Sequence, residues 1–260
     1  MTKLRVFSDV HNEIRRYYMN KKVYKPWVPK ELEDDANTIL ILAGDIDHAK
    51  QLPTYIAWLA KRFKAVIHVA GNHEYYGSNI HSADRYMQEI DLIPNAYHLN
   101  NKTVTIDGQH FVGTTMWTDL TGREYPVMQA MNDYRQIRMG GSEGYRRITA
   151  MDTTRFFKRA YAFLANSITK DSIVITHHQP LSPGNMRMPN PYSPVETDTD
   201  YAYYACLQKE ITEDWKPKAW IAGHTHSNHH IEDYFGTDLI TNCVGYLGEE
   251  DYDENSLFEF

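Results

Sequence analysis

The feature that most constrains this chain is a series of short, almost wholly apolar runs, each stopped by a turn rich in Gly, Asp, Asn or His. Thr38-Ile39-Leu40-Ile41-Leu42-Ala43 runs into Gly44-Asp45, and Ala65-Val66-Ile67-His68-Val69-Ala70 runs into Gly71-Asn72-His73-Glu74. Leu4-Arg5-Val6-Phe7 leads to Ser8-Asp9-Val10-His11, Ser172-Ile173-Val174-Ile175 to Thr176-His177-His178, and Ala219-Trp220-Ile221-Ala222 to Gly223-His224-Thr225-His226. Runs without polar alternation belong to strands buried on both faces, so the sheets they build must be covered on both sides. Helical spacing between the runs supplies that cover. It predicts helices over Pro53 to Phe63, over Ser82 to Ile90, and over Thr153 to Ile168 with Asp152 as its cap. Asp107-Gly108 between Thr103–Ile106 and His110–Gly113 is a hairpin signal, so the sheets are mixed rather than purely parallel.

The remaining segments are less patterned. Residues 14–36 carry Pro26 and Pro29 and read as a surface excursion; 181–200 read as a loop; Tyr203 to Ile211 reads as a helix. Leu239-Ile240-Thr241 and Leu257-Phe258-Glu259-Phe260 are strand-like, and neither a repeat nor a linker divides the chain. The expectation is one domain over 1–260, with insertions at 117–150 and 181–203 beside the site. A net charge of −7 offers no global attraction for nucleic acid or an anionic membrane. Two cysteines, Cys206 and Cys243, do not make a disulfide framework. The N-terminus enters a strand with no apolar leader, and no run is long enough to span a bilayer, so the expected location is cytoplasmic.

Ligands of α/β sheets gather at the carboxyl ends of strands, so turns distant in sequence can converge. The turns supply Asp9, His11, Asp45, Asn72, His73, His177, His178, His224 and His226. Imidazoles with carboxylates and an amide oxygen suit Mn²⁺, Fe²⁺, Zn²⁺ or Ni²⁺. The set has about twice the donors that one tetrahedral ion uses, which points to two divalent cations, with Asp45 the candidate bridge.

The ordered motifs Asp9-x-His11, Gly44-Asp45, Gly71-Asn72-His73-Glu74, His177 and Gly223-His224-x-His226 resemble those of the calcineurin-like metallophosphoesterase superfamily. Gly71–Tyr76, Gly113–Asp119 and Asn132-Asp133-Tyr134-Arg135 further resemble a compact bacterial and phage-borne subgroup. The resemblance implies a four-layer αββα sandwich of two mixed β-sheets with flanking helices. It implies that Asp9, His11, Asp45 and His226 hold one metal, and Asp45, Asn72, His177 and His224 the other, with His177 taken over its neighbour His178. It implies that His73 is catalytic, protonating the leaving group or offsetting transition-state charge, and that Glu74 orients an imidazole, expected to be that of His73. The expected reaction is hydrolysis of phosphomonoesters or phosphodiesters by a metal-bridging hydroxide, with manganese the foremost metal.

Other polar residues are weighed against this set. Asp47 and His48 read as surface or helix-start residues, and His229 and His230 as structural or exposed. Tyr75, Tyr76, Trp117, Tyr134 and Arg135 are candidates for substrate contact or for an aromatic cluster under 117–150, and Asn12 for phosphate contact. The expected partner is a small phosphorylated substrate such as a nucleotide. A nuclease using the same metals is the alternative, disfavoured by the absence of a basic stripe. A non-enzymatic scaffold is disfavoured by the intact donor set.

Overall fold

The computed structural model describes residues 1–19, 24–182, 197–249 and 251–260. One sheet has strand order β11-β1-β2-β3-β4, made of Lys3–Phe7 (β1), Ile39–Ala43 (β2), Ala65–Val69 (β3), Ala96–His98 (β4) and Phe258–Glu259 (β11). The other has order β5-β6-β7-β8-β10-β9, made of Lys102–Ile106 (β5), Gln109–Thr114 (β6), Ile173–Thr176 (β7), Ala219–Ala222 (β8), His229–Tyr234 (β9) and Thr237–Thr241 (β10). β1 to β4 run parallel, as do β6, β7, β8 and β10, while β11, β5 and β9 pair antiparallel at the edges. Both sheets are therefore mixed.

Alternate residues of the apolar runs divide between two cores, as the two-residue strand period requires. Val6, Ile39, Ile41, Ile67, Phe111, Ile173, Ile175, Ile221 and Ile240 share one buried cluster between the sheets. Their neighbours Leu40, Leu42, Val66, Val112, Val174 and Trp220 face outward into a second cluster with helix residues Ile56, Leu59, Phe157 and Leu164. Helix, sheet, sheet and helix stack in that order, giving the expected αββα sandwich. The helices are Asn12–Tyr18 (α1), Leu52–Leu59 (α2), Ile80–Gln88 (α3), Glu124–Ala130 (α4), Asp133–Gln136 (α5) and Ala150–Ser167 (α6). Among the described residues, no helix is long and apolar enough to cross a membrane.

Several local expectations are corrected. α6 starts before Asp152: Thr149 is the N-cap and Asp152 the third helical residue of a capping box, because its carboxylate reaches back to the Thr149 backbone N–H at 2.9 Å. The helix expected over Tyr203–Ile211 is a short 3₁₀ turn at Asp200–Ala202 and a π-helical stretch at Glu210–Trp215. The 14–36 excursion is not purely superficial. Asn12–Tyr18 is helical, and the wholly buried Arg5 meets the buried Asp35 carboxylate at 2.9 Å, which satisfies a charge that burial would otherwise penalise. Of the loop expected over 181–200, residues 183–196 lie outside the described residues.

Candidate metal centre

The parallel strands of both sheets end on one rim, and their turns meet there. Asp9, His11, Asp45, His224 and His226 all adopt left-handed backbone, with φ of 52°, 49°, 57°, 72° and 51°. Residues other than glycine do this at a cost of roughly 1–2 kcal/mol each, a cost that concentrates at functional sites. The glycines of the motifs have steric causes. A Cβ at Gly44, whose φ is +89°, would lie 2.4 Å from His177 Nδ1, and one at Gly71 would lie 2.1 Å from Asp45 Oδ1.

Two groups of donor atoms form. The outer group is Asp9, His11 and His226, with His11 Nε2 at 3.1 Å from His226 Nε2 and His226 Nε2 at 3.5 Å from Asp9 Oδ1. The inner group is Asp45, His177 and His224, to which Asn72 adds an oxygen. There His177 Nε2 lies 3.1 Å from His224 Nδ1, 3.2 Å from Asn72 Oδ1 and 3.4 Å from Asp45 Oδ2. Asp45 Oδ2 is also 3.9 Å from His11 Nε2, which places this one oxygen between the groups. Each group draws on both sheets: Asp9, His11, Asp45 and Asn72 follow strands of the first, and His177, His224 and His226 follow strands of the second.

The hydrogen bonds on the far sides of the rings decide whether these donors fit a cation. His177 Nδ1 lies 2.9 Å from the Ala43 carbonyl, which can only accept, so Nδ1 carries the proton and Nε2 presents a lone pair inward. Glu13 does the same for His11 at 3.0 Å, and Glu249 for His226 at 2.7 Å. His224 Nε2 is buried with no hydrogen-bond partner. In the outer group, where carboxylates hold the far-side protons, the lone pairs of two neutral rings thus face each other at 3.1 Å beside Asp9. In the inner group His177 Nε2 meets His224 Nδ1 at 3.1 Å beside Asp45, and the orphaned His224 Nε2 leaves Nδ1 able to act as donor or acceptor. Nitrogen, carboxylate and amide oxygens crowded in this way fit divalent cations.

The carboxylates favour positive charge at these rings, as a proton or as a cation that replaces it. Burial pushes His177 down, but Asp45 outweighs it and raises the ring to about 10. Burial likewise opposes Asp9 at His226, which still rises to about 9. Burial would raise Asp9 and Asp45, yet the surrounding imidazoles hold both below the usual carboxylate range. His178 is pushed down to about 3 by burial and by His177. Its Nδ1 meets the Thr115 carbonyl at 3.2 Å and its ring packs 5.2 Å from Trp117, so His177 enters the inner group and His178 does not.

His73 stands beside both groups, its Nε2 at 4.0 Å from Asp45 Oδ2. Glu74 does not orient it, contrary to expectation. The Glu74 carboxylate is fully buried and accepts from the backbone N–H groups of Asp45, Ile46 and Gly71 at 3.0, 2.8 and 2.7 Å, tying the two turns together. Glu13 takes the role instead. Its Oε1 accepts from His73 Nδ1 at 2.9 Å and from His11 Nδ1 at 3.0 Å. Because Glu13 engages the protonated nitrogens, the cluster His11, Glu13 and His73 reads as a hydrogen-bonded chain rather than a third cation position. Burial pulls His73 down, but Asp45 and Glu13 lift it to about 9.

The substrate-contact candidates separate. Tyr75 and Tyr134 are buried, their hydroxyls on Asp84 and Thr153 at 3.1 Å, and Arg135 bonds to Asn132 and the Gln129 carbonyl. Tyr76 stacks on His73 at 4.1 Å between centroids. Asn12 is buried, and its amide oxygen accepts from the Trp27 backbone N–H at 2.8 Å. Asp47 is buried and paired with Arg16, which corrects its reading as a surface or helix-start residue, and His229 and His230 open the edge strand β9. Tyr246 carries no motif in the sequence, yet its ring lies 4.5 Å from His11 and 4.6 Å from His226. The available signal was the strand-like Leu239–Thr241, whose parallel pairing brings the turn after it to the same rim.

A family model described as calcineurin-like phosphoesterase matches residues 2–228. The chain belongs to this family. It is therefore a hydrolase of phosphoester bonds, of a family that works with metal ions on phosphorylated substrates. An uncharacterized protein, L509, of Acanthamoeba polyphaga mimivirus is 27% identical over 263 residues, covering 95% of this chain and 92% of that protein. Among solved structures, the phosphopantetheinyl hydrolase of Mycobacterium tuberculosis aligns with a TM-score of 0.65 at 15% identity, covering 95% of this chain and 91% of that one. The second likeness supports the family's fold.

Proposed function

We propose that this chain is a dinuclear phosphoesterase acting on small phosphorylated substrates, with Asp9, His11, Asp45 and His226 holding one divalent cation and Asp45, Asn72, His177 and His224 the other. The observation that carries this reading is the position of Asp45 Oδ2, 3.4 Å from the inner His177 Nε2 and 3.9 Å from the outer His11 Nε2. Two cations bound there would supply a water-derived nucleophile at neutral pH and offset charge on the phosphoryl oxygens. The mixed imidazole, carboxylate and amide donors favour Mn²⁺, with Fe²⁺, Zn²⁺ or Ni²⁺ as substitutes.

The chain's own residues supply the rest. His73 is the general acid: Glu13 holds its Nδ1 proton, so Nε2 faces the reacting group and carries the proton that the leaving oxygen needs. Bound cations would offset part of the Asp45 charge, leaving Glu13 as the carboxylate that keeps the ring protonated. Tyr246 over His11 and His226, and Tyr76 over His73, wall the approach with aromatic faces, which suits a planar leaving group such as a nucleoside.

The test is to strip the protein, titrate it with Mn²⁺, Fe²⁺, Zn²⁺ and Ni²⁺, and screen phosphomonoesters, cyclic nucleotides, aryl phosphodiesters and short oligonucleotides. Two cations per chain and turnover of small esters are expected. One cation per chain, or none, would sink the dinuclear assignment; cleavage of oligonucleotides alone would favour a nuclease.

A further inference from the structure

The segment Asn132-Asp133-Tyr134-Arg135 has no role in the chemistry above, yet one of its side chains reaches the site. Asp133 starts α5 and is 4% exposed. Its Oδ1 accepts from Asn72 Nδ2 at 2.8 Å and from the Tyr76 hydroxyl at 2.6 Å. Among the described residues, then, one oxygen from the 117–150 segment touches both a proposed cation ligand and the ring that stacks on His73.

The consequence for Asn72 is chemical. A side-chain amide has one end that can bind a cation and one that cannot, and the two are nearly the same size. His177 Nε2 does not settle the choice for a cation-binding site, since in the neutral ring it would accept from the amide nitrogen if the amide flipped. Asp133 Oδ1 is an acceptor whether or not the carboxyl is ionised, and the Tyr76 hydroxyl already donates to it. It therefore takes the Asn72 nitrogen and leaves Oδ1 facing His177, at 3.2 Å from Nε2.

The consequence for Tyr76 is geometric. Its hydroxyl is pinned at one end, and its ring lies parallel to His73 within 23° at 4.1 Å. His73 is thereby held by Glu13 at Nδ1 and by Tyr76 on its face. We propose that Asp133 is a positioning residue with two arms: it selects the amide orientation that turns Asn72 Oδ1 to the inner cation, and through Tyr76 it fixes the plane of the general acid His73. This rests on the dinuclear reading above.

The two arms give different readouts. In Asp133→Ala the amide is free to flip and Tyr76 is unpinned. Mn²⁺ titration of the stripped protein should show the inner position weakened by about 10–100-fold, the usual scale for removing a group that orients a ligand, with the outer position unchanged. Turnover should become more sensitive to the leaving group, because alkyl esters need the proton from His73 and nitrophenyl esters do not. Asp133→Asn, whose amide oxygen can accept both donors, should restore most of the affinity and the leaving-group dependence. Tyr76→Phe should change the leaving-group dependence alone. The assignment is overturned if Asp133→Ala binds two Mn²⁺ with wild-type affinities, or if it weakens both positions equally while lowering the melting temperature of the metal-free protein. It is also overturned if Asp133→Asn behaves like Asp133→Ala. Wild-type protein that binds no Mn²⁺ would remove the dinuclear reading itself, and this assignment with it.

Discussion

The outer and inner donor groups are built from similar side chains but supported in different ways. Both rings of the outer group are backed by carboxylates, Glu13 behind His11 and Glu249 behind His226. The His226 side chain is 17% exposed and Glu249 is 46% exposed. The inner group is sealed: His177 is fully buried and backed by the neutral Ala43 carbonyl, and the Asn72 amide is backed by the buried Asp133. A carboxylate partner raises the basicity of an imidazole ligand more than a carbonyl does, but exposure lets water and chelators compete. The lesson is a division of labour. The inner group is held by buried supports, a backbone carbonyl and the Asp133 carboxylate, and the outer by more exposed charged side chains.

That contrast can be broken by substitution. Asp45→Asn removes the shared oxygen and should collapse it, weakening both positions and lowering turnover of an aryl phosphodiester by roughly 10³-fold, a scale seen when one preorganised electrostatic group is lost. Retention of two tight cations would show that the groups do not share Asp45. Glu13→Ala should be next, at about 100-fold in turnover, since it frees both His11 and His73. Cation counting should find the outer position weakened and the inner intact; equal weakening would erase the distinction. Glu249→Ala should cost less than about tenfold in outer affinity, because a half-exposed partner is already screened by water.

The smallest effect sharpens the contrast from outside. Asp84 faces the Tyr75 hydroxyl and, among the described residues, belongs to no group of cation donors; burial pushes it up to about 6, whereas the imidazoles hold Asp9 and Asp45 low. A carboxyl raised on folding contributes stability that is present below its unfolded value of 3.8 and lost as pH rises through about 6. Asp84→Asn should therefore stabilise the protein on the order of 1 kcal/mol at pH 8 and leave it unchanged at pH 4, as read by urea melts. No gain at pH 8 would mean that burial does not govern Asp84.

What could be read in the sequence follows the same division. The apolar runs made the strands legible, because a strand covered on both faces leaves no polar alternation, and the donors were legible because they end those runs. The supports were not. Glu13 sits 60 residues from His73 and reaches it only because α1 turns its side chain back toward the strand ends, whereas Glu74 is the sequence neighbour of His73. Tyr246 and Glu249 follow β10, whose residues carry no metal-binding motif. β9 carries little strand signal because its sequence, His229-His230-Ile231-Glu232, is mostly polar on an edge strand. The π-helical Glu210–Trp215 has no short-range signal separating it from an α-helix.

Because each donor group takes side chains from both sheets, occupancy bears on more than chemistry. Cations placed there would act as rivets through the sandwich, resisting any slip of one sheet over the other. A ligand that binds only the assembled state adds about 2.7 kcal/mol of stability at a free concentration 100 times its dissociation constant. Free metal in the surroundings would then tune how rigidly the two halves are docked, and metal starvation would loosen the molecule along the seam between its sheets.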